Sequence, residues 1–265
     1  MGAERRAGFS LSGQAEACPT FALVTWRGLP ALAPDDQLLA AALRRRGARV
    51  DAVAWDDVVD WQQYDAIVIR STWDYHQRVD EFRAWLDRME GLPLWNPPAL
   101  LRRNIHKSYL LELQEQGIEI VPTIFMRRGV IVKPAVSATA HQTMLLDYDV
   151  LIQPFMPEVA SHGELSFVFL GGAFSHCVRK RPAAGDFRVQ SDFGGTAERI
   201  SVDASLIAQA ERIAATLGEE WLYARVDCIE RDGRLLLMEL EATEPSLFLD
   251  EVAAERFADA ITSRV

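Results

Sequence analysis

Two glutamates near the end of the chain pose the first chemical question. In the run LLLMELE at residues 235–241, the period-two geometry of a strand puts Leu235, Leu237, Glu239 and Glu241 on one face. That face is apolar and then doubly acidic. On the preceding strand signal, residues 222–230, Arg225 and Asp227 also share a face. Asp232-Gly233 between the two runs reads as a hairpin turn. If Asp227 lies opposite Glu239, three carboxylates converge beside one arginine. A divalent cation with oxygen ligands is the usual counter-charge for such crowding. A strict two-residue turn would set Asp227 opposite Met238 instead, so convergence requires a longer loop or a bulge. An antiparallel sheet with one wet face shows the same alternation without a metal.

The basic residues form a second pattern. Of 28 basic residues only three are lysines, Lys107, Lys133 and Lys180. Lys133 ends a β-branched run, where it either snorkels to solvent or fixes a phosphate. Lys180 sits in Arg179-Lys180-Arg181, which leads into a loop with Asp186, Arg188 and Gly194-Gly195. On a chain with a net charge of −10, that cluster reads as an anion clamp or as a solvated face. The same charge disfavours general nucleic-acid binding. Five histidines lack metal-ligand spacing, and no P-loop, G-x-S-x-G or G-x-G-x-x-G motif occurs. The three cysteines are odd in number and far apart, which fits a reducing cytoplasm. No apolar run is long enough to span a membrane.

These residues need elements to hold them. Residues 1–19 read as a loose polar arm. Strand signals at 21–26, 49–55 and 65–70 alternate with helical patterns from 34 and over 79–89, which predicts a small parallel sheet. Residues 95–98, Trp-Asn-Pro-Pro, mark a boundary. Beyond it the spacing predicts a helix over 104–116 carrying Lys107, short strands at 130–134 and 150–154, and a hairpin at 164–178. A helix over 203–217, the acidic hairpin and a last helix over 249–261 complete an α+β unit. The expected units are 20–97, 98–153 and 154–265.

In order along the chain, Lys107, Lys133 in VIVKP, Gln153-Pro-Phe-Met-Pro-Glu158, Gly163-Glu164, Arg179 to Arg181, Ala224-Arg-Val-Asp227 and Met238-Glu-Leu-Glu241 resemble the ATP-grasp superfamily of carboxylate ligases. The resemblance spans residues 96–261. It implies a two-lobed ATP-grasp fold behind the N-terminal α/β domain, with ATP and Mg2+ as cofactors. By it, Lys107 and Lys133 hold phosphates, and Gln153, Pro154, Phe155 and Met156 form the adenine hinge. Glu164 meets the ribose, and Asp227, Glu239 and Glu241 hold magnesium. Arg225, with Lys180 and Arg181, stabilises the reacting anions. Two departures stand out: Glu241 replaces a frequent Asn, and residues 134–142 lack the glycines of the usual phosphate-covering loop.

Within the superfamily the chain is similar to a group of cyclo-ligases that form cycloserine from O-ureido-D-serine. The stretches responsible are residues 70–75, 178–190 and 238–248. That likeness implies substrate contacts from Ser71, Thr72, Trp73, Asp74, Arg188 and Ser246. It implies a small amino-acid-like substrate, with no nucleic-acid or membrane partner and with homo-oligomerisation left open. Two other readings remain at this level. One is an intermolecular carboxylate–amine ligase of the glutathione synthetase or D-alanine ligase type; the other is a non-catalytic nucleotide-binding module.

Overall fold

The computed structural model describes residues 18–265. The arm expected at residues 1–19 lies almost wholly outside the described residues. The N-terminal unit runs β1 (Thr20–Thr25), α1 (Pro34–Arg45), β2 (Arg49–Ala54), β3 (Ala66–Ser71), α2 (Val79–Arg88) and β4 (Leu94–Trp95). Its four strands form a parallel sheet in the order β2-β1-β3-β4. Phe21 to Val24 on the inner strand β1 are completely buried, because a parallel sheet covered on both faces takes a continuous apolar run. Pro34 in the first turn of α1, with Asp35 and Asp36, starts that helix, and Arg44 and Arg45 favour its C-terminal end. On α2, Phe82, Trp85 and Leu86 face one way and pack against Trp55 and Trp61, with the Trp55 and Phe82 rings edge-to-face at 5.3 Å.

The rest of the chain runs α3 (Pro98–Asn104), α4 (Tyr109–Glu115), β5 (Ile124–Met126), β6 (Val130–Val132), β7 (Met144–Leu146), β8 (Val150–Ile152), α5 (Pro157–Ser161), β9 (Glu164–Leu170), β10 (Ala173–Arg181), β11 (Thr196–Ile200), α6 (Ala204–Ala214), β12 (Tyr223–Arg231), β13 (Arg234–Glu241) and α7 (Glu251–Thr262). Five strands form an antiparallel sheet in the order β11-β10-β9-β12-β13. Every residue of its central strand β9 is buried. The short strands pair separately, β5 with β8 and β6 with β7. The connection between β6 and β7 contains Thr139, Ala140 and Gln142 at positive φ, a conformation glycine would adopt without the cost of about 1 kcal/mol or more that a side chain incurs. No helix of the described residues is long and apolar enough to cross a membrane.

One expected element is different. The helix anticipated over residues 104–116 is two helices, and Lys107 lies in the turn between them. The cause is tertiary. β13 is an edge strand, and the side chain of Asn104 serves its open backbone groups, donating to Leu240 O at 2.7 Å and accepting from Ala242 N at 2.8 Å. Tyr109 Oη accepts from Leu240 N at 2.9 Å on the far side of the break.

Candidate active site

The register of the last hairpin settles how the acids are arranged. Asp232 and Gly233 both have positive φ, as a tight two-residue hairpin turn requires. From that turn Arg231 pairs with Arg234 and Cys228 with Leu237, a frame that would bring Asp227 opposite Met238. Between Asp227 and Cys228 the register shifts by one residue, and Asp227 pairs with Glu239. Met238 is the extra residue of a β-bulge, and it lines the same cavity as Glu239 beside it. Carboxylate oxygens of Asp227, Glu239 and Glu241 all lie within 4.8 Å of one another.

Three cations face this triad. Arg225 Nε lies 3.0 Å from both Asp227 oxygens, and Nη2 lies 2.8 Å from Asp227 and 2.7 Å from Glu241. Lys107 Nζ lies 2.7 Å from Glu239. Lys180, buried, pairs with Glu164 and lies 3.3 Å from Asp227. Ser166 Oγ donates to Asp227 at 2.5 Å. Burial works to raise the Asp227 carboxyl, but Arg225 and then Lys180 outweigh it and hold the group well below the usual carboxylate range. Glu241 goes the other way: burial pushes its carboxyl well up, helped by Glu239 and Asp227 against Arg225. Asp227, Glu239, Glu241, Glu164, Glu244 and Asp192 thus line the second and third cavities described below with Lys107, Lys180 and Arg225, six carboxylates to three cations. A hard divalent ion with oxygen ligands fits this excess in both charge and donor type.

Three adjoining cavities surround the cluster. The first, about 510 Å³, is lined by Gln153, Pro154, Phe155, Met156, Glu164 and Arg188 among others. The second, about 330 Å³, holds Lys107, Lys180, Arg225 and the triad, with Gln153, Glu164, Gln190 and Met238 shared with the first. The third, about 380 Å³, includes Trp73, Asp192, Glu244, Ser246 and Phe248, and shares Lys180, Gln190, Arg225 and Glu241 with the second. The start of β9 depends on Gly163, whose added Cβ would come within 2.6 Å of the Lys180 carbonyl.

The wall of the third cavity is the crossing from β13 to α7, residues 242–248. Six successive carbonyls there are each held by a side chain from elsewhere. Asn96 donates to Ala242 at 2.8 Å, Tyr223 to Thr243 at 2.8 Å, Trp73 to Glu244 at 3.3 Å and Arg70 to Pro245 at 2.8 Å. Arg225 donates to Ser246 at 3.0 Å, and His176 Nε2 lies 3.0 Å from the Leu247 carbonyl. These bonds replace a sheet ladder and fix the loop.

Not all expected residues gather here. Ser71, Thr72 and Asp74 are buried away from the cavity: Ser71 bonds Thr25, and Asp74 accepts from Trp55 Nε1 at 2.8 Å and pairs with Arg78. Of that stretch only Trp73 reaches the third cavity. Arg181 alternates with Lys180 on β10 and therefore leaves by the other face, 4.0 Å from Glu198. Lys133 stands exposed just past β6 and lines none of the three cavities. Arg188 lines the first cavity, paired with Asp186 at 2.7 Å and lying over the Phe193 ring at 3.6 Å. Sequence reasoning missed Glu244 and Gln190. The spacing of Glu239, Glu241 and Glu244 was the available signal for the first.

The fold and this charged cleft define a class. Residues 130–253 match the model of the prokaryotic glutathione synthetase ATP-grasp domain, and residues 21–96 match that of the D-cycloserine synthetase DcsG N-terminal domain. The chain has the ATP-grasp fold and is an ATP-dependent carboxylate ligase that forms a C–N bond. It is 28% identical to the cycloserine biosynthesis protein DcsG of Streptomyces lavendulae, over 86% of this chain and 92% of that one. The crystal structure of D-cycloserine synthetase DcsG superposes with a TM-score of 0.75 at 27% identity, covering 92% of this chain and 99% of the other. A glutathione synthetase of Prochlorococcus marinus (strain MIT 9313) is 26% identical over 64% of this chain and 56% of its own length. The D-alanine–D-alanine ligase of Bacillus anthracis in complex with ATP shares the fold, with a TM-score of 0.63 at 15% identity, over 93% of this chain and 97% of that one.

Proposed function

We propose that the protein closes O-ureido-D-serine to D-cycloserine at the expense of ATP. One observation supports this most: the N-terminal domain, of the kind found in D-cycloserine synthetase, puts Trp73 into the third cavity beside Arg225 and Glu244. The first cavity takes the nucleotide base against the backbone of residues 153–156, with Glu164 at its edge. Lys107 grips phosphate from its turn, and Lys133 joins it as the β6–β7 pair folds over the cleft. Asp227, Glu239 and Glu241 would hold Mg2+, which supplies positive charge to the phosphates when bound. The division into residues 20–97, 98–153 and 154–265 follows from these roles. A reducing cytoplasm suits the three free cysteines, two of them buried.

The chemistry needs no protein nucleophile. An oxygen of the substrate carboxylate attacks the γ-phosphorus, the bond to ADP breaks, and an acylphosphate forms. The nitrogen bonded to the ureido oxygen then attacks the activated carbonyl carbon. A ring C–N bond forms, phosphate leaves with the bonding pair, and the nitrogen's proton passes to it. Water removes the N-carbamoyl group as ammonia and carbon dioxide. Arg225 has one Nη1 proton beyond those given to Asp227, Glu241 and Ser246, and that proton serves the oxyanion.

Product analysis tests this reading. With O-ureido-D-serine and MgATP alone, ADP and D-cycloserine should appear together. ADP release that requires an added amine would favour the intermolecular ligase, a reading the glutathione synthetase match also supports. No ADP release with any small amino acid, with or without an amine, would leave only nucleotide binding.

A further inference from the structure

Of the described residues, each acid lining the second and third cavities has a cation except two, Asp192 and Glu244. Glu239 has Lys107, Asp227 has Arg225 and Lys180, Glu241 has Arg225, and Glu164 has Lys180. Among the described residues, no cation lies within ion-pair distance of Glu244, although its side chain lines a cavity of about 380 Å³. The backbone carrying it is fixed on both sides, by Tyr223 at the Thr243 carbonyl and by Arg70 at the Pro245 carbonyl, and Trp73 holds its own carbonyl. The third cavity therefore has a cationic end at Arg225 and Lys180 and two acids without a cation, Asp192 and Glu244, of which Glu244 stands on backbone held on both sides. A zwitterion with its two charges on adjacent carbons matches that distribution.

The geometry points to Glu244 as the receptor for the α-ammonium group of the substrate, with Trp73 and Arg70 as positioning residues that hold its backbone. This rests on the carboxylate-ligase reading: the substrate carboxylate must lie at the Arg225 end to meet the γ-phosphate, which turns its amine toward Glu244. Burial, with Glu239 next, pushes the Glu244 carboxyl up to about 8. That is the behaviour of an acid short of positive charge, which a bound ammonium provides. Recognition of the amine separates an amino-acid ligase from one that takes any small acid, because a hydroxyl at the same carbon cannot neutralise the half-buried carboxylate.

The test compares calorimetric affinities, in saturating Mg·ADP, for O-ureido-D-serine, D-serine and D-alanine with those for the α-hydroxy acid of each skeleton. The wild-type protein should prefer the amine by about 30-fold or more, some 2 kcal/mol. Glu244→Gln should narrow the preference to within about threefold and leave ADP affinity within about twofold, a split that a merely structural residue would not give. Glu244→Asp, which keeps the charge, should restore most of the preference. An undiminished preference in Glu244→Gln, no preference in the wild type, or no binding of any of the three amino acids overturns the inference. If O-ureido-D-serine fails to bind while D-serine or D-alanine shows the preference, the cyclisation reading falls and the role of Glu244 stands.

Discussion

Glu239 is pulled between Lys107, 2.7 Å away, and the like charges of Asp227 and Glu241. Its charge, rather than its volume, is what the site uses, so an amide of the same shape is the informative change. Glu239→Gln should lower ADP release by about 100-fold or more, as expected when an oxygen ligand loses its charge. Thermal unfolding should shift by no more than a few degrees, because the side chain lines a cavity rather than filling the core. Near-normal ADP release from a folded Glu239→Gln protein would remove the metal assignment altogether. The same residue shows why the triad was readable from the sequence. Glu239 and Glu241 share a face by strand geometry alone, and Asp227 is tied to them by the hairpin. The bulge that completes the set was legible only as a condition, since the turn type sets one register and the extra residue at Met238 sets another.

At the scale of elements, the six-carbonyl loop between β13 and α7 carries the substrate side of the site, and His176 is its most pH-sensitive clamp. Burial, and then Arg199, lower the His176 pKa from its ordinary 6.5 to about 4. Between those values the unfolded chain binds a proton that the folded protein refuses, so stability rises with pH across this window and is lost as pH falls from 6.5 toward 4. At pH 4.5 the loss amounts to about 2–3 kcal/mol relative to pH 7. Urea midpoints of wild type and His176→Gln at both pH values check it: the variant should show a smaller difference by about that amount, and an equal difference would refute the assignment. This loop was hardly visible in the sequence, because its order comes from side chains scattered between Arg70 and Arg225 rather than from periodicity. The turn at Lys107 was hidden for a related reason. Helical spacing runs through residues 104–116, and the break falls where Asn104 bonds the edge strand and His106 Nδ1 accepts from Ser108 N. Ser71, Thr72 and Asp74 lie buried rather than along the cavity, because a strand end points successive side chains in different directions and partners inside the N-terminal unit hold Ser71 and Asp74. The parallel sheet and the two long hairpins, by contrast, follow from local pattern and were legible throughout.

At the scale of the molecule, the N-terminal unit and the antiparallel sheet are joined through a buried charge. Arg70 on β3 is 1% exposed and donates from Nε to Asp36 at 2.7 Å, itself 2% exposed. Its guanidinium lies 5.0 Å from the ring centre of Tyr223 on β12 and 5.8 Å from that of Phe257 on α7, while Nη2 holds the Pro245 carbonyl. One side chain thus links α1, β3, β12, α7 and the loop bearing Glu244. Asp36 feels burial first, which raises its pKa despite Arg70, so this carboxylate is already costly to keep ionised. Arg70→Met strands Asp36 without a partner and should destabilise the protein by about 3–5 kcal/mol in urea unfolding at neutral pH. Adding Asp36→Asn removes the stranded charge, and the double variant should recover a large part of that loss, since a buried ion pair stabilises mainly by not being half removed. Its affinity for the amino-acid substrate should stay below wild type even so, because a thioether side chain has no N–H to donate to the Pro245 carbonyl and the loop loses one of its six fixings. Recovery of stability and of substrate affinity together would show that Arg70 only balances Asp36 and has no part in shaping the third cavity.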